Sequence, residues 1–194
     1  MLNIFVGFEQ FNRYNITDEQ GNPVAYFLEE RSFTKMIQRQ ILRTKRPFQI
    51  HMIDTNGKPI LFFHRPLTFI NSKVSVETPN GALVGYSQQS WHPFRRKYDL
   101  YEKEQFADID SPMLAWEFIV RDENYNTIAR VDRNFTNVAR EVFTDAGQYS
   151  VTFDSRLRNP LQRSIVLACA LSIDFDYFSR HSRIGFIPFS TDSS

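Results

Sequence analysis

Few side chains in this sequence are spaced for covalent chemistry. His51, His64, His92 and His181 are scattered without the close pairing that a zinc site needs. Cys169, the single cysteine, falls within an apolar run where a thiolate is disfavoured, so it reads as a small core residue rather than a nucleophile. No glycine-rich phosphate loop or dinucleotide fingerprint occurs. Residues 33–46 carry chemistry of another kind. Written as a helix, Phe33, Met36, Ile37 and Ile41 share one face and Lys35, Arg39 and Arg43 lie opposite, with Leu42 near the polar side and Lys45 and Arg46 closing the segment. This basic amphipathic pattern suits an anionic lipid surface, each base near the headgroups contributing about 1 kcal/mol. The same periodicity suits a helix packed on the protein, and the sequence leaves both open. Arg95-Arg96-Lys97, beside Trp91 and Phe94, offers either a second lipid contact or a solvated strand end.

These groups need a scaffold, and its most telling element lies near the C-terminus. The run from Arg163 to Phe178 predicts a helix over about 162–178. From Ile165 to Ile173 only Ser172 interrupts the apolar block, so the helix has no face to turn toward water. Ile165, Leu167, Cys169, Leu171 and Phe175 are the expected core contacts. A bilayer span needs roughly 20 apolar residues, whereas this run is bounded by Arg163 and by Asp174 and Asp176. Enclosure within the protein is therefore the expectation.

Hairpins supply the enclosure. Strand-like runs flank Asp18-Glu19-Gln20-Gly21-Asn22-Pro23, Asp54-Thr55-Asn56-Gly57, Pro79-Asn80-Gly81 and Asp122-Glu123-Asn124-Tyr125-Asn126. Asn-Gly predicts a type I′ turn, with positive φ at both central residues. Phe48, Ile50 and Met52 alternate with Gln49 and His51, and Tyr149, Val151 and Phe153 with Ser150 and Thr152, which gives each strand one buried face. Nineteen Phe and eight Tyr also favour strands over a helical bundle. Many hairpins and one enclosed helix imply a closed barrel around a plug, which also removes exposed sheet edges. No linker divides the chain, so residues 1–194 are expected to form one domain. The net charge of +1 does not favour nucleic acid. One cysteine permits no disulfide within the chain, consistent with a reducing compartment. The first residues lack the pattern of a secretory or transit signal, so any targeting is expected from elsewhere.

Six segments occur in an order that resembles the phospholipid scramblase family: Arg46-Pro47-Phe48, Asp54-Thr55-Asn56-Gly57, Arg65-Pro66-Leu67, Gly85 to Pro93, Arg140-Glu141-Val142-Phe143-Thr144-Asp145, and Ser172 to Phe178. The Asp-Tyr-Phe-Ser-Arg-His ending is similar to the fungal, mitochondria-associated branch. The resemblance implies a mainly β, Tubby-like fold, a closed antiparallel barrel of about twelve strands around a central hydrophobic C-terminal helix. In such members an extra N-terminal region usually precedes this core, so the chain corresponds to the domain alone or to a shortened product. The cysteine-rich, acylated stretch of animal members has no counterpart, because residues 32–46 contain no cysteine.

The implied activity is bidirectional movement of phospholipids between bilayer leaflets, commonly stimulated by Ca²⁺ bound just after the Phe-Thr-Asp motif. Here Asp145 keeps the first carboxylate and Asp154 adds a weak second candidate. A hard cation wants six to eight oxygens, but Gly147, Tyr149 and Arg156 occupy the later ligand positions. Asp145 reads better as a cap or turn residue, and no cofactor is expected. Lipid movement makes and breaks no covalent bond, so no catalytic residue is sought. The expected partner is an anionic phospholipid membrane, at the mitochondrion or alternatively the plasma membrane. A peripheral lipid-binding adaptor without transport activity stays open as the second function class, and the oligomeric state is open too.

Overall fold

The alternating runs of the sequence become a ring of hairpins. A computed structural model describes residues 2–8, 13–30, 47–133 and 149–178. Twelve strands run in chain order: β1 (Leu2–Phe8), β2 (Arg13–Thr17), β3 (Pro23–Glu29), β4 (Phe48–Ile53), β5 (Pro59–Arg65), β6 (Lys73–Glu77), β7 (Leu83–Ser90), β8 (Arg95–Tyr101), β9 (Gln105–Pro112), β10 (Glu117–Asp122), β11 (Thr127–Asp132) and β12 (Tyr149–Phe153). Each pairs antiparallel with its sequence neighbours, and β1 closes on β12 in the register Leu2↔Phe153 and Ile4↔Val151. The sheet is thus an up-and-down closed barrel, the Tubby-like architecture implied by the resemblance.

Strand direction sorts the connections between two ends. Turns 18–22, 54–58, 78–82, 102–104 and 122–126, with segment 154–159, gather at one end. Loops 66–72, 91–94 and 113–116 gather at the other, the mouth, where segments 9–12, 31–46 and 134–148 also join the strands. The turn at Asp54 is type I with a following bulge rather than type I′. Gly57 N–H donates to Asp54 O at 3.1 Å and Asp54 N–H to Lys58 O at 2.9 Å. Gly57 has φ 84° while Asn56 stays out of the left-handed region, and the ladder slips between Met52 and Ile53. The Asp54 carboxylate decides this, accepting from the Asn56 and Lys58 amides at 2.8 Å and so fixing the first turn. Asp122 grips its turn in the same way, but there the left-handed position is held by Tyr125, with φ 61°.

The helix α1 (Pro160–Ile173) starts at the turn end and runs through the barrel toward the mouth. The side chain of Asn159 caps it by accepting from Leu161 N–H at 3.0 Å, and Pro160 occupies the first turn, where no amide partner is needed. Beyond Ile173 it continues as a π-helical segment, Asp174–Phe178. Every residue from Ser164 to Ile173 is buried. Strands β6, β7 and β8 pack against α1, and β7 presents Gly85 and Ser87 there. A Cβ at position 85 would collide with the carbonyl of Tyr101 and with Ile165 Cδ1, so the missing side chain is what lets the helix lie so close. Inward Phe27, Phe48, Phe63 and Phe118 fill the rest of the core. Phe48 reaches Phe175 with ring centroids 4.4 Å apart, and each such buried ring contributes roughly 1.5–3 kcal/mol. Among the described residues no helix is long and apolar enough to cross a membrane.

Candidate functional site

Asp174 and Asp176 flank Phe175 where the plug reaches the mouth, and a carboxylate there needs donors, because an unpaired buried charge costs several kcal/mol. Asp176 has three. It accepts from Arg65 Nη2 at 2.6 Å and from the hydroxyls of Ser72 and Tyr98, both at 2.7 Å. The Arg65 and Asp176 side chains are 0% and 1% exposed. Burial first, then the Asp176 charge, holds the Tyr98 hydroxyl well above its ordinary range and keeps it a donor at neutral pH. Next to this set, Gln89 Nε2 donates to Tyr177 Oη at 2.7 Å. The Arg96 guanidinium stacks 4.0 Å from the Tyr177 ring centroid and donates to the Ala115 carbonyl at 3.1 Å. Arg133 pairs with Asp174. Cys169, deeper in the core, has its thiol pushed up to about 12 by burial and is no nucleophile at neutral pH. The network locks the plug to the barrel wall.

Around this floor stands an apolar rim. Phe69, Phe94 and Leu114 are 76%, 77% and 85% exposed, and Ile70, Trp91 and Trp116 are exposed as well. Loops 66–72, 91–94 and 113–116 contain no Asp, Glu, Lys or Arg. They are braced rather than loose: Trp91 N–H donates to Asn71 Oδ1 at 2.9 Å, Gln89 N–H to Ser72 O at 2.7 Å, and Arg133 N–H to Trp116 O at 3.0 Å. Between them opens a pocket of about 270 Å³, walled by Phe69, Ile70, Trp91, His92 and Met113, with Gln89, Ser90, Arg95, Asp176 and Tyr177 as its polar lining. Arg95 is tied to Asp110, which also takes Lys97 Nζ at 3.3 Å. The opposite end differs in charge. Its connections carry eight acids (Asp18, Glu19, Asp54, Glu102, Glu104, Asp122, Glu123, Asp154) against four bases (Lys58, Lys103, Arg156, Arg158). An apolar, uncharged rim over a pocket with mixed lining can receive an amphiphile.

The residues singled out in the sequence fall in three places. Ile165, Leu167, Cys169, Leu171 and Phe175 are buried in the plug. The proposed lipid-binding set Phe33, Lys35, Met36, Ile37, Arg39, Ile41, Arg43, Lys45 and Arg46 lies outside the described residues, as does Asp145. Asp154 follows β12 at the turn end, where its carboxylate accepts from both Arg156 N–H and Arg156 Nε at 3.0 Å. The backbone hydrogen bond from Arg156 leads in holding it below the usual carboxylate range. Tyr149, a later ligand position of the calcium segment, is buried at the start of β12. The described part of that segment does not fit Ca²⁺, because its one carboxylate is already occupied by a cation. Arg95, Arg96 and Lys97 are not uniformly solvated: Arg96 points inward and is buried. Sequence reasoning missed Arg65, Ser72, Gln89 and Tyr98 as partners of the helix end, and Phe69, Ile70, Leu114 and Trp116 as rim. The available signal was Asp174 and Asp176 themselves, two acids following an enclosed helix.

The Scramblase family model matches residues 1–180. The chain belongs to the Scramblase family. Among similar proteins, the altered inheritance rate of mitochondria protein 25 of Saccharomyces cerevisiae is 40% identical, over 97% of this chain and 71% of that one. A phospholipid scramblase family protein of Schizosaccharomyces pombe is 35% identical, over 93% of this chain and 57% of its own length. Phospholipid scramblase 1 of Homo sapiens is 27% identical, over 92% of this chain and 60% of that one. This chain thus spans between about half and three quarters of the length of these relatives. A solved protein of Arabidopsis thaliana shares the fold, with TM-score 0.55 and 14% identity over 89% of this chain and 91% of its own.

Proposed function

We propose that this scramblase-family barrel acts on membrane phospholipids and moves them between bilayer leaflets without covalent chemistry. The observation that carries this reading is the family match over residues 1–180, joined by similar proteins named phospholipid scramblases. The mouth is compatible with it, since an amphiphilic ligand meets apolar walls and a polar floor there. An anionic membrane is the proposed partner, because residues 31–46 carry six bases and no acid. The mitochondrion is the proposed location, on the printed name of the Saccharomyces cerevisiae relative. One observation favours a second reading, a lipid-binding adaptor: α1 from Ser164 to Ile173 is buried within its own barrel, and among the described residues it presents no open groove to lipids.

The deciding experiment reconstitutes the purified chain in vesicles bearing a leaflet-specific fluorescent phospholipid, with and without Ca²⁺. Loss of leaflet asymmetry above protein-free vesicles supports transport. Vesicle binding with asymmetry intact supports the adaptor.

A further inference from the structure

We propose that the barrel mouth is the face that enters an anionic phospholipid surface, with Phe69, Trp91, Phe94, Leu114 and Trp116 seated among the headgroups and upper acyl chains. This rests on the reading that the protein works on membrane lipids and names the surface it uses. Three loops from three separate hairpins present these side chains at one end, and none of the three carries an acid, a lysine or an arginine. The cost of leaving such side chains in water is recovered when they enter an apolar or interfacial phase. Both tryptophans of the chain, Trp91 and Trp116, stand on this rim, and indole prefers the headgroup level of a bilayer. The hydrogen bond from Trp91 to Asn71 braces two of the loops, so insertion orders little that is not already ordered.

Charge orients the molecule the same way. The segment between Glu30 and Pro47, with its six bases and no acid, joins the barrel at the mouth through β3 and β4. The opposite connections hold twice as many acids as bases. An anionic surface therefore attracts the mouth and repels the far end. A lipid surface also fits the form of the rim better than a protein would. Its exposed side chains come from three different loops, with a pocket beside Phe69 and Trp91, and fluid lipid can surround them without needing a complementary shape.

The intact chain carries its own probes. Full-length protein is mixed with phosphatidylcholine vesicles containing phosphatidylserine, and tryptophan emission and sedimentation are recorded, with brominated lipid as quencher. Trp91→Phe and Trp116→Phe variants assign each signal. The expected result is a blue shift and quenching of both tryptophans. Phe69→Ser combined with Leu114→Ser is expected to lower vesicle binding by about tenfold or more, while Leu83→Ser at the turn end leaves it unchanged. All variants are compared for circular dichroism and thermal midpoint, so that misfolding is separated from lost binding. Sedimentation without quenching, absence of any vesicle binding, or lipid-independent self-association abolished by the Phe69/Leu114 change would each overturn the proposal. Leaflet exchange without tryptophan quenching sinks this inference alone; quenching without exchange sinks the transport reading alone.

Discussion

Arg65, the last residue of β5, donates to Asp176 at 2.6 Å although 111 positions separate them in the chain. The bond fastens the end of the plug to the barrel wall at a depth where neither side chain meets water. Removing one partner strands the other charge. Arg65→Met is expected to destabilise the fold by about 3–5 kcal/mol, and Arg65→Met with Asp176→Leu by clearly less than the sum of the single changes. Urea unfolding of the four proteins measures the coupling; additive losses would show that the pair acts as two separate contacts.

Gly85 is expected to tolerate no side chain. Gly85→Ala places a methyl against the Tyr101 carbonyl and Ile165 Cδ1, and overpacking of this kind costs about 1–3 kcal/mol or more. Ile165→Val removes only one of the two clashes, so it should restore part of the loss and not all. Thermal midpoints of the single and double variants test this.

Tyr125 sits at the turn position that Gly57 and Gly81 fill in other hairpins, all three with positive φ. A left-handed conformation costs a non-glycine residue roughly 1–2 kcal/mol, of which glycine's greater freedom when unfolded offsets part. Tyr125→Gly is therefore expected to stabilise the barrel by about 0.5–1 kcal/mol. A lower urea midpoint would contradict it.

Stability should fall at alkaline pH. The Cys169 thiol rises from 9 to about 12 on burial, so above pH 9 the unfolded chain gives up a proton that the folded chain keeps. The contribution is fully present below about pH 9 and lost as pH climbs toward 12, roughly 4 kcal/mol in all. Tyr98 and Tyr149, both raised mainly by burial, add losses above pH 10 in the same direction. The urea midpoint, followed through this range, should decline from about pH 9 upward; a midpoint that held constant would show that these groups ionise freely in the fold.

Calcium is expected to bind weakly. Arg156 holds the Asp154 carboxylate, and the strand β12 takes the residues between. Titration calorimetry should detect no site tighter than about 1 mM. Micromolar affinity abolished by Asp145→Ala would contradict this.

Turn chemistry and alternation made much of the barrel readable. The Asp-x-x-Gly turns and the period-2 runs mark hairpins, and the uninterrupted apolar block marks the plug. Strands β8 and β9 were harder, since Glu102-Lys103-Glu104 contains no glycine, proline or asparagine and Arg96 occupies an inward place. Asp54 illustrates a local limit: the Asn-Gly pair points to one turn type, and a side chain two residues earlier imposes another. The mouth was least legible. Arg65, Ser72, Tyr98 and Asp176 meet only because the barrel closes, and nothing local in any of them names the others. Phe69, Leu114 and Trp116 look like ordinary core residues until topology places all three on one rim beside Trp91.

The pairing of β1 with β12, and a filling helix that comes after both, sets an order for the chain's birth. Most hairpins can form as they leave the ribosome, because the partner strand follows within a few residues; only β3 with β4 and β11 with β12 wait for a longer connection. The ring cannot shut until Phe153 has emerged, and α1 follows later still. Throughout synthesis, a curved sheet lined with phenylalanines waits without its filling, the kind of intermediate that attracts chaperones and aggregates when it lingers. A chain stalled before Pro160 would hold every strand of the barrel and still lack an interior.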